Sequence, residues 1–205
     1  MKKSMICGGF FVLFVAALFY PKTLNGQTPL LSDPYVPLSV EEKAKVFGHR
    51  IIAPSALAKT AFTSGINQWR DTTPEWGQGM AGYARRYGSK TGTRAAENAI
   101  GFVTAAAFHQ DPRYFRSGEN GFWRRTQYAV KSTFVTRDDS GQNQIAIWKI
   151  AGNYGGQVVS NIWKPDRYHD VPDTLARGSV SMGYDAASNL LKEFWPDIRR
   201  RIFRR

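Results

Sequence analysis

Small residues at helical spacing are the feature that most constrains how this chain folds. In residues 145–163, Ala151, Gly152, Gly155 and Gly156 form two overlapping pairs with members four residues apart. Such pairs leave one helix face without bulk, so a second helix backbone can pack closely against it. A polar row interrupts the apolar surface of the same segment, at Lys149, Asn153, Gln157 and Asn161. The segment is therefore predicted to be a helix of a close-packed soluble bundle.

Helix-start signals indicate two further helices near the beginning of this region. Ser39 and Glu42 have the spacing of a capping box, which begins a helix that we expect to end near Gly48. Pro54 suits the first turn of a second helix, because a proline there loses no helical hydrogen bond. This helix is predicted to carry one row of residues on one side: Leu57, Ala61, Gly65 and Trp69.

The central and C-terminal parts of the chain show the same helical period. Thr73, Pro74 and Glu75 suit a helix start, followed by an apolar row (Trp76, Met80, Tyr83, Tyr87) and a small-residue row (Gly77, Ala81, Ala84, Gly88). We expect an interruption over residues 88–93, and then a helix over residues 94–108 with Ala95, Ala99, Val103 and Ala106 on one face. Residues 126–134 also look helical, and residues 138–141 have the composition of a turn.

The last predicted helix starts near Asp170 and Pro172 and is interrupted at Pro196. Its core face is predicted to carry Leu175, Ser179, Met182, Ala186, Leu190 and Phe194. No segment shows sustained alternation with hairpin turns. The chain is therefore predicted to be all-α, a single compact bundle of about five or six helices rich in small residues.

The N-terminus has the order of a secretory signal peptide. Lys2 and Lys3 precede an apolar run over residues 5–20, and a short polar stretch follows it. We expect a signal peptide at residues 1–26, an extended lead-in at 27–38 and a helical domain at 39–205; an uncleaved membrane anchor is the alternative. The single cysteine, Cys7, lies before the centre of the apolar run, which argues against lipidation.

A basic charge balance indicates an anionic partner. The formal net charge is +12, and removal of residues 1–26 takes away three lysines and no acidic residue, which leaves +9. For an exported protein, the expected partners are an anionic membrane surface or an envelope polymer, and nucleic acid is not expected. The alternative is that the surplus only keeps the protein soluble.

Few residues indicate catalysis. The three histidines have no partner at the four-residue spacing of a helical metal site, no phosphate-binding loop or nucleophile elbow is present, and we expect no metal or cofactor. One weak alternative is a carboxylate and histidine pair drawn from Glu75, His109 and Asp111, as in hydrolases that act on polymers. Glu75 is also explained by the dipole of a helix first turn.

Two arginine-rich segments are the candidate binding sites. Residues 109–125, HQDPRYFRSGENGFWRR, join two predicted helices and offer Arg113, Tyr114, Arg116, Arg124 and Arg125. A structural clasp, with aromatic residues in the core and arginines at helix ends, is the preferred role of this segment, and anion binding is the alternative. The basic tail, residues 197–205, combines Arg199, Arg200, Arg201, Arg204 and Arg205 with Ile198, Ile202 and Phe203, as membrane-surface segments do.

Three motifs carry a resemblance. PEWGQG at residues 74–79, DPRYF at 111–115 and EFWPDI at 193–198 resemble those of a group of exported bacterial envelope proteins with no known activity. The resemblance implies an envelope location and assigns no site. The expected function is therefore non-enzymatic association with an anionic surface, with self-association through small-residue helix faces as a further possibility and envelope-polymer hydrolysis as the alternative.

Overall fold

The computed structural model describes residues 29–202, so the predicted signal peptide, Arg204 and Arg205 lie outside the described residues. As predicted, the described part is a mostly helical bundle. Its α-helices are α1 (Val40–Ile52), α2 (Pro54–Trp69), α3 (Gly79–Ala107), α4 (Phe122–Lys131), α5 (Ile147–Ser160) and α6 (Val171–Ile202). Short 3₁₀ turns lie at Pro74–Trp76 and Asp166–Tyr168. Within residues 29–202, no helix is long and apolar enough to cross a membrane.

Local signals predicted the helix starts better than the helix ends. Ser39 and Glu42 form the expected capping box, with reciprocal bonds between side chain and backbone. Pro54 lies in the first turn of α2. The predicted end of α1 near Gly48 is wrong, because the helix continues to Ile52 and the backbone N–H of Ala53 still donates to the carbonyl oxygen of His49.

Both predicted interruptions of the long helices are also wrong. α3 runs through residues 88–93 without a break, and α6 continues past Pro196. In α3 the hydroxyl groups of Thr91 and Thr93 donate to carbonyl oxygens one turn earlier in the helix. Trp163 packs over this stretch and its ring nitrogen donates to the hydroxyl oxygen of Ser89, so tertiary contacts support a segment of weak helix propensity.

A small hairpin follows α4. Strands β1 (Val135–Arg137) and β2 (Asn143–Ile145) pair antiparallel. The predicted turn at residues 138–141 joins them, where the carboxylate of Asp138 accepts bonds from the backbones of Ser140 and Gln142. The prediction that no hairpin is present is wrong because three-residue strands are too short to give a period-two pattern.

Helix α3 is the centre of the bundle. α1, α2 and α5 all pack on it, and α6 packs on α4 and α5. The closest approach is to α5, as the small pairs predict: a Cβ at Gly152 would lie 2.8 Å from the carbonyl oxygen of Glu97, and one at Gly156 would lie 2.9 Å from the Glu97 Cα. The glycines therefore set the separation of α3 and α5.

The interior of this bundle is unusually polar. Among residues 29–202, seventeen polar or charged residues are buried against nine hydrophobic ones, and the apolar core is small, formed by Phe47, Ala105 and Trp148 with Phe102 beside them. Several residues of the predicted helix rows face solvent: Leu57, Trp69, Met80, Val103 and Leu175 are exposed, as are Gly77, Ala81, Ala84, Gly88 and Ala99. Core packing was predicted for the row on α6, where Met182 is buried but Leu175 and Ser179 are exposed, so that prediction is wrong for the first turns of α6.

Candidate functional site

The first half of the 109–125 segment is held inside the protein by Asp111. This fully buried carboxylate accepts hydrogen bonds from the backbone and guanidinium of Arg113 and from the hydroxyl of Tyr35. Burial opposes the charge of Arg113, but the bonds to Asp111 outweigh it and raise the pKa of Arg113. Burial and the charge of Asp111 raise the pKa of Tyr35. Arg113 is therefore engaged by Asp111, in contrast to the predicted solvent-facing anion site.

The same segment is tied to α6 by Glu193. Its buried carboxylate accepts bonds from the hydroxyl of Tyr114 (2.8 Å), the backbone and hydroxyl of Ser117 (3.1 and 2.6 Å) and the Nε of Arg125 (3.2 Å). Burial opposes ionisation of Glu193, but these bonds outweigh it and lower its pKa. Arg125 also pairs with Asp197. Tyr114 and Arg125 thus have the structural role of a clasp.

Arg116 forms no hydrogen bond with either buried carboxylate, Asp111 or Glu193. Its backbone bonds to Pro29 and Leu31, which attaches the extended lead-in to this segment. The Nε of Arg116 is buried and has no hydrogen-bond partner among residues 29–202. Its side chain is only partly accessible, so Arg116 does not extend an open binding surface.

The weak catalytic candidates do not share one cleft. Glu75 lies in the 3₁₀ turn before α3, where it pairs with Arg167 at 3.1 Å and does not begin an α-helix. This turn contacts Arg86, and about 30 Å of helix, at 1.5 Å per residue, separates Arg86 from His109. His109 contacts Asp139 at 3.2 Å, whereas Asp111 is bound by Arg113.

Metal-binding geometry is also absent from this part of the chain. Among residues 29–202, no group of three or more His, Cys, Asp or Glu side chains is arranged to hold a metal ion.

The structure brings the two predicted binding segments together at one end of the bundle. The ring of Phe122 packs 5.3 Å from that of Phe194, so the first turn of α4 lies beside the end of α6. We define the arginine–aromatic surface as the exposed side chains at this end: Phe122, Trp123, Arg124, Arg199, Arg200 and Arg201. Trp123 is 73% exposed.

The arginines of this surface are weakly engaged. Arg124 lies 4.0 Å from Glu119, and both of these side chains are exposed. None of the three arginines at 199–201 forms an ion pair with another described residue. Their charges are therefore directed to solvent, at the end of α6 that follows the Phe194 and Asp197 contacts with α4.

A second cationic region lies between the helices. We define the cationic cavity as a space of about 90 Å³ lined by Arg113, Tyr114, Phe115, Tyr128, Lys131, Ser132, Val135, Thr136, Arg137, Asn143 and Lys149. Four of these residues are basic and none is acidic. Burial, with the charge of Arg50 adding to it, lowers the pKa of Lys149 to about 8. Behind the cavity, burial and two neighbouring cations lower the pKa of Lys192 to about 7.

More cations line the space between α2, α3 and α6. The ammonium of Lys59 on α2 lies 5.4 Å from the ring of Tyr184 on α6. Burial and the charges of Arg94, Lys59 and Lys164 lower the pKa of Lys90 to about 8. The nearby carboxylate of Glu97 accepts bonds from α5 and α6, and burial raises its pKa.

The sequence contains one signal for this polar interior. Lys149, Asn153 and Gln157 recur every four residues on α5, and from the sequence alone this row only favoured a soluble bundle. In the structure Asn153 donates to Asp185, Gln157 donates to Glu97, and Lys149 lines the cavity. A polar row at helical spacing indicated the interior as well as the small-residue row did.

No family model matches the chain, and comparisons with curated proteins and with solved structures found no match.

Proposed function

We propose that this chain is an exported protein of the bacterial cell envelope, where its helical bundle associates with an anionic membrane surface without catalysing a reaction. The observation that carries the proposal is the arginine–aromatic surface, in which Trp123 and Phe122 lie beside outward-facing arginines at one end of the molecule. The sequence pattern of residues 1–26 supports export.

The composition of this surface suits the interface between lipid headgroups and water. Tryptophan and other aromatic rings prefer the headgroup level, because one part of the ring is apolar and another is polar. A basic residue close to an anionic bilayer contributes about 1 kcal/mol. Because Arg199, Arg200 and Arg201 point about 100° apart around α6, they do not all face one bilayer, so together with Arg124 they contribute at most about 4 kcal/mol at moderate salt. Arg204 and Arg205 add to the same charge in the sequence.

The orientation of the surface follows from the clasp. Glu193 and Asp197 bind Arg125 on the inner side of α4. Consecutive residues of a helix point about 100° apart, so Arg124 faces outwards when Arg125 faces α6. The basic residues are therefore displayed on a rigid base, which reduces the entropy lost when they bind.

Binding to vesicles tests the proposal. Protein comprising residues 27–205 is sedimented with vesicles of phosphatidylcholine alone or with 40% phosphatidylglycerol, a fraction chosen to be strongly anionic. We expect binding only to the anionic vesicles, and we expect salt to weaken it, since the Debye length falls from about 10 Å at 0.1 M to about 3 Å at 1 M. Equal binding to both vesicle types would contradict the proposal.

A charge-matched pair of variants locates the binding surface. The double substitution Arg200→Gln and Arg201→Gln is compared with Lys45→Gln and Arg70→Gln, which also removes two exposed charges. The first is expected to weaken binding about 30-fold, the equivalent of about 2 kcal/mol, and the second to leave it nearly unchanged. Equal losses would show that only net charge matters.

Location is tested separately in cells. Fractionation followed by N-terminal sequencing of the product is expected to place the chain in the periplasm or with a membrane, beginning near Gln27. Recovery from the cytoplasm with an intact N-terminus would refute export. Binding to a purified anionic envelope polymer in place of vesicles would favour that polymer as the partner.

A further inference from the structure

Three observations on the cationic cavity are not explained by the proposed association with a membrane surface. It is lined by Arg113, Lys131, Arg137 and Lys149 and by no acidic side chain. Of these four, only Arg113 forms an ion pair with a described residue. The cavity also lies against α5 and the hairpin, and it is partly enclosed, with the exposed Lys131 and Asn143 at its rim.

Partnerless charges inside a protein are costly. A buried ion without a counter-charge loses its hydration and costs several kcal/mol. Arg137 donates to the carbonyl oxygen of Leu31, and Lys149 donates to that of Ser132 at 2.6 Å. These acceptors are neutral, and the attraction of Asp185 for Lys149 is outweighed by burial, which lowers the pKa of Lys149. A bound anion would therefore supply the direct ion pair that Arg137 and Lys149 do not form with the described residues.

Neighbouring groups add to the positive potential of the site. Arg50 lies over the ring of Trp148, at 4.9 Å from its centre, and the Lys149 ammonium lies 5.4 Å from the same ring. Lys192 lies over the ring of Tyr114, a lining residue of the cavity. The nearby carboxylate, Asp185, is engaged by Asn153.

We infer that the cationic cavity is a binding site for a small oxyanion of the size and charge of phosphate or sulfate, held chiefly by Arg137 and Lys149. The space suits such an ion: at about 30 Å³ per water, 90 Å³ accommodates on the order of three water molecules. The guanidinium of Arg137 offers a planar pair of donors, and the ammonium of Lys149 offers a point charge. Lys131, which is exposed, lies at the entrance.

Calorimetric titration of residues 27–205 with sodium sulfate, at constant ionic strength set by sodium chloride, tests the inference. Sulfate keeps its charge throughout the useful pH range. We expect saturable binding of one ion per chain, and a rise in the melting temperature with sulfate that exceeds the rise with chloride. Absence of saturable binding, or equal effects of the two salts, would overturn the site.

Matched variants assign the binding to the cavity. Arg137→Gln and Lys149→Gln each remove one charged donor and are expected to weaken sulfate binding tenfold or more, because a hydrogen bond to a charged group contributes about 1.5–3 kcal/mol. Arg70→Gln removes an exposed charge from the end of α2 and is expected to leave binding unchanged. Circular dichroism verifies that each variant is folded. Unchanged affinity in both folded cavity variants would refute the assignment.

If neither cavity variant folds, the pH dependence of wild-type binding decides. Lys149 faces Asp185 and Lys192 of α6, Arg50 of α1 and Arg137 of β1. Burial, with Arg50 adding to it, lowers the pKa of Lys149 to about 8, so sulfate binding is expected to weaken as the pH rises from 7 to 9. Constant affinity over this range would contradict a role for Lys149.

The source of the oxyanion is distinguished by comparing inorganic phosphate with glycerol 3-phosphate at one pH. Tighter binding of inorganic phosphate indicates a free ion, and equal or tighter binding of the ester indicates a lipid headgroup or another phosphomonoester. These soluble-ligand tests do not use vesicles, so their failure leaves the proposed surface association unaffected, and the reverse also holds.

Discussion

Replacement of Glu193 tests the claim that a buried carboxylate joins the 109–125 segment to α6. In Glu193→Gln the new amide keeps one acceptor oxygen, so of four donors, from Tyr114, Ser117 (two) and Arg125, about two lose an acceptor. A hydrogen bond to a charged group contributes about 1.5–3 kcal/mol, so we expect the free energy of unfolding to fall by about 3–5 kcal/mol. At about 2–4 °C per kcal/mol, the melting temperature falls by roughly 10 °C.

Urea unfolding followed by circular dichroism measures this change, with Glu119→Gln as control. Glu119 is exposed, and its ion pair with Arg124 is long at 4.0 Å. Its replacement is therefore expected to change the free energy of unfolding by less than about 0.5 kcal/mol. A double-mutant cycle with Tyr114→Phe should give a coupling energy of about 0.5–3 kcal/mol. If Glu193→Gln unfolded at the same urea concentration as the wild type, the clasp would not be a stabilising feature.

Acid titration gives an independent check on the same carboxylate. The pKa of Glu193 is lowered in the folded state, because the bonds to its charged form outweigh the effect of burial. Its contribution is therefore complete above the unfolded pKa of about 4.3 and is lost as the pH falls through the folded value. Between pH 5 and 3 the wild type should lose stability more steeply than Glu193→Gln, and parallel curves would contradict this explanation.

Four further substitutions test the rest of the fold. Gly156→Ala places a Cβ 2.9 Å from the Glu97 Cα and should cost about 1–3 kcal/mol in urea unfolding, whereas Gly183→Ala meets no atom within 4 Å and should gain up to about 1 kcal/mol. Arg86→Met removes a buried guanidinium that donates to the turn before α3 and should cost at least about 3 kcal/mol. Lys192→Met should raise the melting temperature at pH 7. In the wild type the pKa of Lys192 is lowered to about 7, so stability should increase as the pH rises from 7 to 10. The variant should show a smaller increase, because Lys90 and Lys149, with pKa values lowered to about 8, still contribute.

The parts of the fold that depend on neighbouring residues were predicted from the sequence. The Ser39 capping box, the Pro54 helix start and the turn at Asp138 each involve atoms within four residues of one another. The small pairs of α5 also predicted a close helix contact, because the absence of a Cβ at Gly152 and Gly156 acts on whichever helix comes nearest. Local chemistry was sufficient in all these cases.

The errors about which residues are buried share one physical cause: polar side chains of this protein find partners across helices. Arg86 is buried because acceptors from Gln68, Asp71, Thr73 and Gly77 surround it. Glu193 is buried because three residues far away in sequence donate to it. An interpretation that places apolar residues in the core assumes that such partners are absent, so it assigned the exposed Leu175 to the core.

The three motifs that carried the family resemblance coincide with these buried polar clusters. PEWGQG contains the turn whose carbonyl oxygen at Gly77 accepts from Arg86. DPRYF begins with Asp111, and EFWPDI contains Glu193 and Asp197, which bind Arg125. Each motif thus has an internal packing role, and its residues are explained without a ligand. The candidates for ligand contact are therefore the charged residues that take no part in these buried clusters.

The remaining charges fall into two sets with different physical consequences. The arginines at 199–201 and Arg124 face solvent, where an ion contributes little to stability and remains available to a large anionic surface. Arg137 and Lys149 face an enclosed space, where a charge without a partner is costly and a single small anion would remove that cost. High salt should therefore weaken the first interaction strongly through screening and the second much less, because enclosed charges are screened less. A membrane contact and an oxyanion site on the same chain are thus separable by salt alone: if 0.5 M sodium chloride abolished both to the same extent, the cavity would be open to solvent and the distinction between the two sites would be lost.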